Sequence, residues 1–281
     1  YNDDDIFIFS RRFLIYENKV DVGAAVYRSR DLTFYQTHQC IQFSINPEAG
    51  KFLRDPETLI HTVILQNEQW NSAITDIKPQ YYNGNRLEYR YQKKTGFEGG
   101  NEYFFFDTKD IRSTGSNVGS VELNRLYESY LNTNFLRRGY PYSFNADING
   151  DFSIRTLEGS EDEAIEADYS WVHFSLSAPK FLEGQEVYIY GKFNNYQLTD
   201  ENKMYFNPGL EIYEGIILLK QGFYNYKYVA KSSDQLLTNS LSDSHALTEN
   251  RYLILVYYNE FGARNDALIG IGKASSFEIL D

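Results

Sequence analysis

At 281 residues the chain has room for about two domains. Its formal net charge of −12 excludes a general nucleic-acid binder, which needs clustered Lys and Arg, and argues against adhesion to an anionic membrane surface. No apolar run approaches the roughly 20 residues of a transmembrane helix. The opening Tyr1-Asn-Asp-Asp-Asp5 carries no signal peptide, which a mature chain would have lost in any case. Abundant Tyr (25) and Phe (20) beside scarce Pro (6) favour a β-rich protein, because aromatic rings suit a pleated, half-buried surface.

In chain order, residues 1–17 stand apart. They hold two short apolar stretches around Ser10-Arg11-Arg12 and cannot bury both faces alone. They are expected to be a terminal strand segment of something that starts before residue 1. Residues 18–165 are expected to form a β-sandwich domain. Its strands are predicted at 37–45, 62–66, 87–91 and 102–107, separated by the turn signals Asn46-Pro47, Asn83-Gly84 and Gly99-Gly100. Residues 121–131 have spacing compatible with a short helix, but in so β-rich a chain they are read as strand. Asn149-Gly150 predicts a hairpin between residues 142–147 and 152–155. The acidic run Glu158-Gly-Ser-Glu-Asp-Glu-Ala-Ile-Glu166 reads as a solvated interdomain link or an exposed hairpin tip. Residues 166–281 are expected to form a second sandwich, with strands at 171–176, from 187, at 222–229 and at 251–258. The last is the most apolar and is expected at the centre of its sheet.

Few residues point to chemistry. Cys40, the only cysteine, lies in an alternating strand and reads as a small buried side chain, so no intrachain disulfide is possible. His38, His61, His173 and His245 are scattered singly, and no grouping has zinc-ligand spacing. Asn145-Ala-Asp-Ile-Asn-Gly150 resembles half of a calcium loop, but the closing Glu would fall at Thr156, so it reads as a turn. There is no phosphate loop and no Gly-x-Ser-x-Gly elbow. The expectation is a non-enzymatic chain with no metal and no cofactor. Tyr140, Tyr142 and Phe144, with Phe193 and Tyr196 in the loop Phe193-Asn-Asn-Tyr196, are the candidates for a partner interface, since Tyr and Phe are favoured there. The alternative is that these rings pack into the cores.

Val187-Tyr-Ile-Tyr-Gly-Lys-Phe-Asn-Asn-Tyr-Gln-Leu198, answered by Gly222-Phe-Tyr-Asn-Tyr-Lys-Tyr-Val229, resembles the E-set immunoglobulin-like domains related to glycogen-binding modules. The fold class expected is therefore all-β, with tandem immunoglobulin-like/E-set sandwiches. Tyr196 stands where those modules carry a sugar-stacking Trp, and the second stacking Trp is absent. A carbohydrate-binding module of a surface polysaccharide system is accordingly the alternative reading.

A broader resemblance rests on several segments in order. They are Ile8-Phe-Ser-Arg-Arg-Phe-Leu-Ile-Tyr-Glu17, Thr37-His-Gln39, Gln66-Asn-Glu-Gln-Trp-Asn-Ser-Ala-Ile74 and Ile77-Lys-Pro79. Then come Phe97-Glu-Gly-Gly-Asn-Glu-Tyr-Phe-Phe-Phe-Asp107, Thr248-Glu-Asn-Arg-Tyr-Leu-Ile-Leu-Val-Tyr-Tyr258 and Gly262-Ala-Arg-Asn-Asp-Ala-Leu-Ile-Gly270. Together they resemble the plug protein of the type IX secretion system of Bacteroidetes. That resemblance implies a further N-terminal domain ahead of this chain and a periplasmic location beside the outer membrane. It also implies a partner, the giant outer-membrane β-barrel translocon, whose periplasmic opening one copy would seal when no cargo is present.

Overall fold

The computed structural model describes residues 12–48, 52–159, 162–178, 184–233, 235–260 and 262–281. Its strands are β1 (Val20–Arg28), β2 (His38–Pro47), β3 (Ile60–Gln66), β4 (Ile74–Thr75), β5 (Tyr81–Asn83), β6 (Arg86–Tyr89), β7 (Gly96–Glu98), β8 (Phe104–Asp107), β9 (Val118–Leu123) and β10 (Tyr127–Leu131). They continue with β11 (Asn134–Phe135), β12 (Phe152–Ile154), β13 (Tyr169–Ser177), β14 (Gln185–Tyr190), β15 (Lys203–Asn207), β16 (Ile212–Lys220), β17 (Gly222–Ser232), β18 (Gln235–Leu237), β19 (Arg251–Tyr258) and β20 (Ala267–Ser275). Two one-turn helices, α1 (Pro56–Leu59) and α2 (Glu163–Glu166), are the only α-helices among the described residues. The protein is all-β, as its aromatic-rich composition predicts.

Two cores organise the strands. In the first unit the sheet β1-β2-β6-β5, with β7 also on β2, faces the sheet β20-β19-β3-β4. Val22, Ile41, Phe43, Ile45, Ile64, Tyr89, Ile254 and Val256 fill the space between them. Gly270 and Gly272 on β20 let β1 cross at close range. A Cβ on Gly270 would lie 2.4 Å from Val20, and one on Gly272 2.6 Å from Val22.

The second unit is one eleven-stranded sheet folded over its own core, in the order β12-β17-β14-β15-β16-β13-β10-β9, with β8 and β18 on β17 and β11 on β13. The fold-over occurs at β15. Its Lys203 and Met204 pair with β14, while residues 205–207 pair with β16. The core is an aromatic lattice. Phe106 stacks on Tyr224 (5.0 Å, 9°) and meets Phe174 edge-on (5.7 Å, 81°), and Phe174 meets Tyr226 edge-on (5.1 Å). Alternation along β13 supplies Val172, Phe174 and Leu176 to this core and turns Tyr169, Trp171 and His173 outward.

Several expectations are corrected by the strand pairing. A division at residue 165 does not follow the sheets. β8, β9 and β10 belong with β13 and β17 in the second unit, while β19 pairs back onto β3 of the first, across the whole second unit, and β20 pairs on the far side of β19. β19 is central, but in the first unit's sheet. The acidic run lies inside the second unit, between β12 and β13. There Asp162 caps α2 by accepting the Ala164 N–H at 3.0 Å. Asn149 (φ 59°) and Gly150 (φ 80°) do form a turn. The hairpin is not made, because residues 142–147 form no strand and β12 pairs with β17 instead. Residues 121–131 form the β9–β10 hairpin. Of the terminal segment, residues 1–11 lie outside the described residues and residues 12–17 form no strand. The Glu17 and Lys19 N–H groups bond to the Leu268 and Ile269 carbonyls of β20 at 2.9 Å.

Candidate interaction surface and the joint beneath it

The joint begins where the two connections between the units, residues 99–103 and 238–250, are anchored to the first unit by buried amides. Gln39 on β2 donates from Nε2 to the carbonyls of Ala246 (2.8 Å) and Thr248 (2.7 Å). Its Oε1 accepts from Asn250 Nδ2 (3.0 Å) and Tyr252 OH (2.6 Å). Asn250 Nδ2 also reaches the Gly99 carbonyl (2.8 Å), and its Oδ1 accepts from Asn67 Nδ2 (2.7 Å). Thr248 Oγ1 closes onto the Gly100 carbonyl at 2.8 Å. Gln39, Asn67, Thr248, Asn250 and Tyr252 are all buried, so each bond is made in a low-dielectric interior where a missing partner is costly. Gly99 is required here. A Cβ would sit 2.0 Å from the His245 carbonyl oxygen.

The loop after β3 bridges to the second unit. Gln69 Nε2 donates to Tyr103 OH (3.2 Å), Asn71 Nδ2 to Tyr190 OH (2.7 Å), and Lys192 Nζ pairs with both Glu68 and Asp151 at 2.9 Å. Beside these contacts opens a cleft of about 850 Å³. Lys227 lines it with its ammonium 5.4 Å from the Tyr103 ring and 5.9 Å from the Tyr190 ring. Burial pulls this lysine down to about 8.

The five aromatic candidates separate. Tyr196 is buried at the joint, its ring 5.2 Å from that of Tyr190, and burial pushes its phenol up. Its backbone is left-handed (φ 55°). Phe193 is half-buried and meets Tyr224 edge-on at 5.8 Å. Tyr196 therefore packs inside, the alternative the sequence left open, while Phe193 packs on one side and stays partly exposed. Tyr142 is half-buried, its hydroxyl donating to Glu102. Tyr140 and Phe144 are exposed on the irregular arm between β11 and the Asn149–Gly150 turn.

That arm is tied to the joint through buried charge. Arg137 donates to the Glu102 carbonyl and lies 3.9 Å over the Phe104 ring. Asp147 accepts from the Tyr103 and Asn149 N–H groups at 2.6 Å. Its two oxygens are thus spent on backbone, in keeping with a turn rather than a calcium loop. Glu102 is 2% exposed, and burial raises its carboxyl to about 7 against the opposing Tyr142 and Glu249 donors. One of its oxygens has no hydrogen-bond partner.

The folded value of Glu102 lies above the unfolded 4.5, so its contribution is intact below pH 4.5 and is lost as pH rises towards 7. The loss is about 3 kcal/mol at one 1.36 kcal/mol step per unit. Glu102→Gln is expected to remove this slope and to be the more stable protein at pH 8. Urea titrations of both proteins from pH 4.5 to 8 check it, and parallel curves would contradict it.

The remaining residues that the sequence singles out are structural in their surroundings. The Cys40 thiol is fully buried and donates to the Gln92 carbonyl at 2.8 Å, and burial raises its pKa, away from a reactive thiolate. His38 bonds Thr37, His61 bonds Asp76 and His173 bonds Glu128. No cluster of three or more His, Cys, Asp or Glu placed to hold a metal occurs among the described residues. No helix among them is long and apolar enough to cross a membrane.

The fold and joint define an all-β protein of two sheet-packed units locked by a buried polar network. No family model matches the chain, and no curated protein matches it. Among solved structures it is similar to a hypothetical protein from Parabacteroides merdae, at 32% identity and a TM-score of 0.85. The likeness covers 92% of this chain, and hence parts of both units, but 66% of that protein, so the chain spans about two thirds of its relative's length.

Proposed function

We propose that the chain is a non-enzymatic plug that binds the periplasmic opening of the type IX outer-membrane translocon barrel and seals its pore when no cargo is present. In this reading its units are tandem immunoglobulin-like, E-set sandwiches, and one periplasmic copy serves one translocon. The observation that supports it is where the resemblance-bearing segments meet. Gln39, the run 66–71, the run 97–103 and the run 248–252 are far apart in sequence, and together they make the joint. A stopper has to hold its shape across an opening, and a locked two-unit body loses little conformational entropy on docking. With a net charge of −12, its contacts with a basic rim would weaken as salt rises.

The carbohydrate-binding alternative loses its main residue, since Tyr196 is buried. The experiment is a pull-down with the tagged protein from detergent-solubilised outer membranes, read by mass spectrometry. Recovery of a giant β-barrel protein is expected. Recovery of nothing, or only of sugar-processing lipoproteins, would contradict the reading.

A further inference from the structure

The outer face of the sheet β15-β16-β13-β10-β9 is not covered by any described element, and its alternating side chains make an apolar stripe. Trp171 (39% exposed) lies across from Leu218 (40%), and His173 from Ile216 (50%), in the β13–β16 register. Tyr205 (62%) and Tyr169 (50%) extend the stripe. Tyr130 is fixed by stacking on His173, ring centroids 4.0 Å apart. The opposite face of these strands already buries Val172, Phe174 and Leu176, so packing of the unit does not require an apolar outer face. Contiguous exposed apolar surface with a polar border is the mark of an interaction site.

The border is acidic. Glu122 stands directly across from Glu128 between β9 and β10, and Glu214 across from Tyr205 on the other side. Glu128 is held there by His173 Nε2 (2.9 Å), Asn124 Nδ2 (2.9 Å) and the Tyr130 hydroxyl (3.1 Å), while Glu122 and Glu214 are exposed at the rim. Lys220, at one end, already donates to the Ala164 carbonyl at 2.6 Å and lies over the Tyr169 ring. The face therefore has an apolar centre and negative flanks.

We propose that this face is the surface by which the chain docks to its partner, a protein surface with an aliphatic centre flanked by Arg or Lys. The inference rests on the plugging reading, under which that surface belongs to the periplasmic mouth of the translocon barrel. The rings anchor in desolvated pockets, and basic side chains pair with the exposed Glu122 and Glu214 at the rim.

Two variants test it in the same pull-down, after circular dichroism has established that each folds. W171E/L218E places charge in the stripe and is expected to lower barrel recovery at least tenfold. E122K/E214K changes only exposed flanks and is expected to weaken capture and flatten its salt dependence. If wild type and both variants capture the barrel equally, this face is not the dock, while the plugging reading stands. If wild type captures no barrel, the plugging reading fails and the docking proposal with it. A wild-type dimer that W171E/L218E converts to monomer, or retardation of wild type by polysaccharide in an affinity gel, would assign the face to a second copy or to sugar and overturn the proposal.

Discussion

Phe106→Ala is expected to destabilise the protein by about 4 kcal/mol, in the range for removing a fully buried Phe where the surroundings cannot collapse. Phe106 is completely buried and touches three other core rings, Tyr224, Phe174 and Tyr226, within 5.8 Å. Those partners come from β13 and β17, strands already pinned by their own ladders, so the cavity would stay open. Equilibrium urea unfolding measures the loss. A change under 1 kcal/mol would mean that the lattice repacks.

Asn250→Ala is expected to cost a comparable amount by a different route. It leaves Asn67 Nδ2 without its acceptor, removes a donor from the Gly99 carbonyl and takes one of two donors from Gln39 Oε1. At 1–3 kcal/mol for each buried group left unpaired, the total is about 4 kcal/mol. The two tryptophans report different places, Trp70 the bridging loop after β3 and Trp171 the sheet of the second unit. With W70F and W171F backgrounds, each single tryptophan is expected to follow one shared unfolding transition, and Asn250→Ala to move both midpoints together. A shift seen by Trp70 alone would show that the joint does not couple the units.

Local pattern carried most of the strands. Period-2 alternation in residues 171–176 and 222–229 and the apolar run at 251–258 became β13, β17 and β19 nearly as written. Partner choice was not legible. Nothing local in Arg251–Tyr258 distinguishes pairing with β3, some 190 positions earlier, from pairing with a neighbouring strand; β1 and β2, in the facing sheet, decide it by needing an opposite face. Asn149-Gly150 specified a turn, but residues 142–147 are held elsewhere, Tyr142 by Glu102 and Asp147 by the Tyr103 N–H, and β12 pairs with β17. Tyr196 reads as an interface candidate from its residue type and its loop alone. The pocket beside Tyr190 reverses that, and it is not written in the sequence. The stripe around Trp171 was legible in principle, since the outward positions of an alternating strand are Tyr169, Trp171 and His173, where a solvated face would carry charge.

The plugging account is tested most directly by conductance. Purified translocon stripped of its plug, reconstituted in a planar lipid bilayer, passes ionic current through its open pore. Adding this protein to the periplasmic side at one copy per barrel is predicted to close the current, with closure weakening as salt rises. Current that persists at saturating protein would contradict the account.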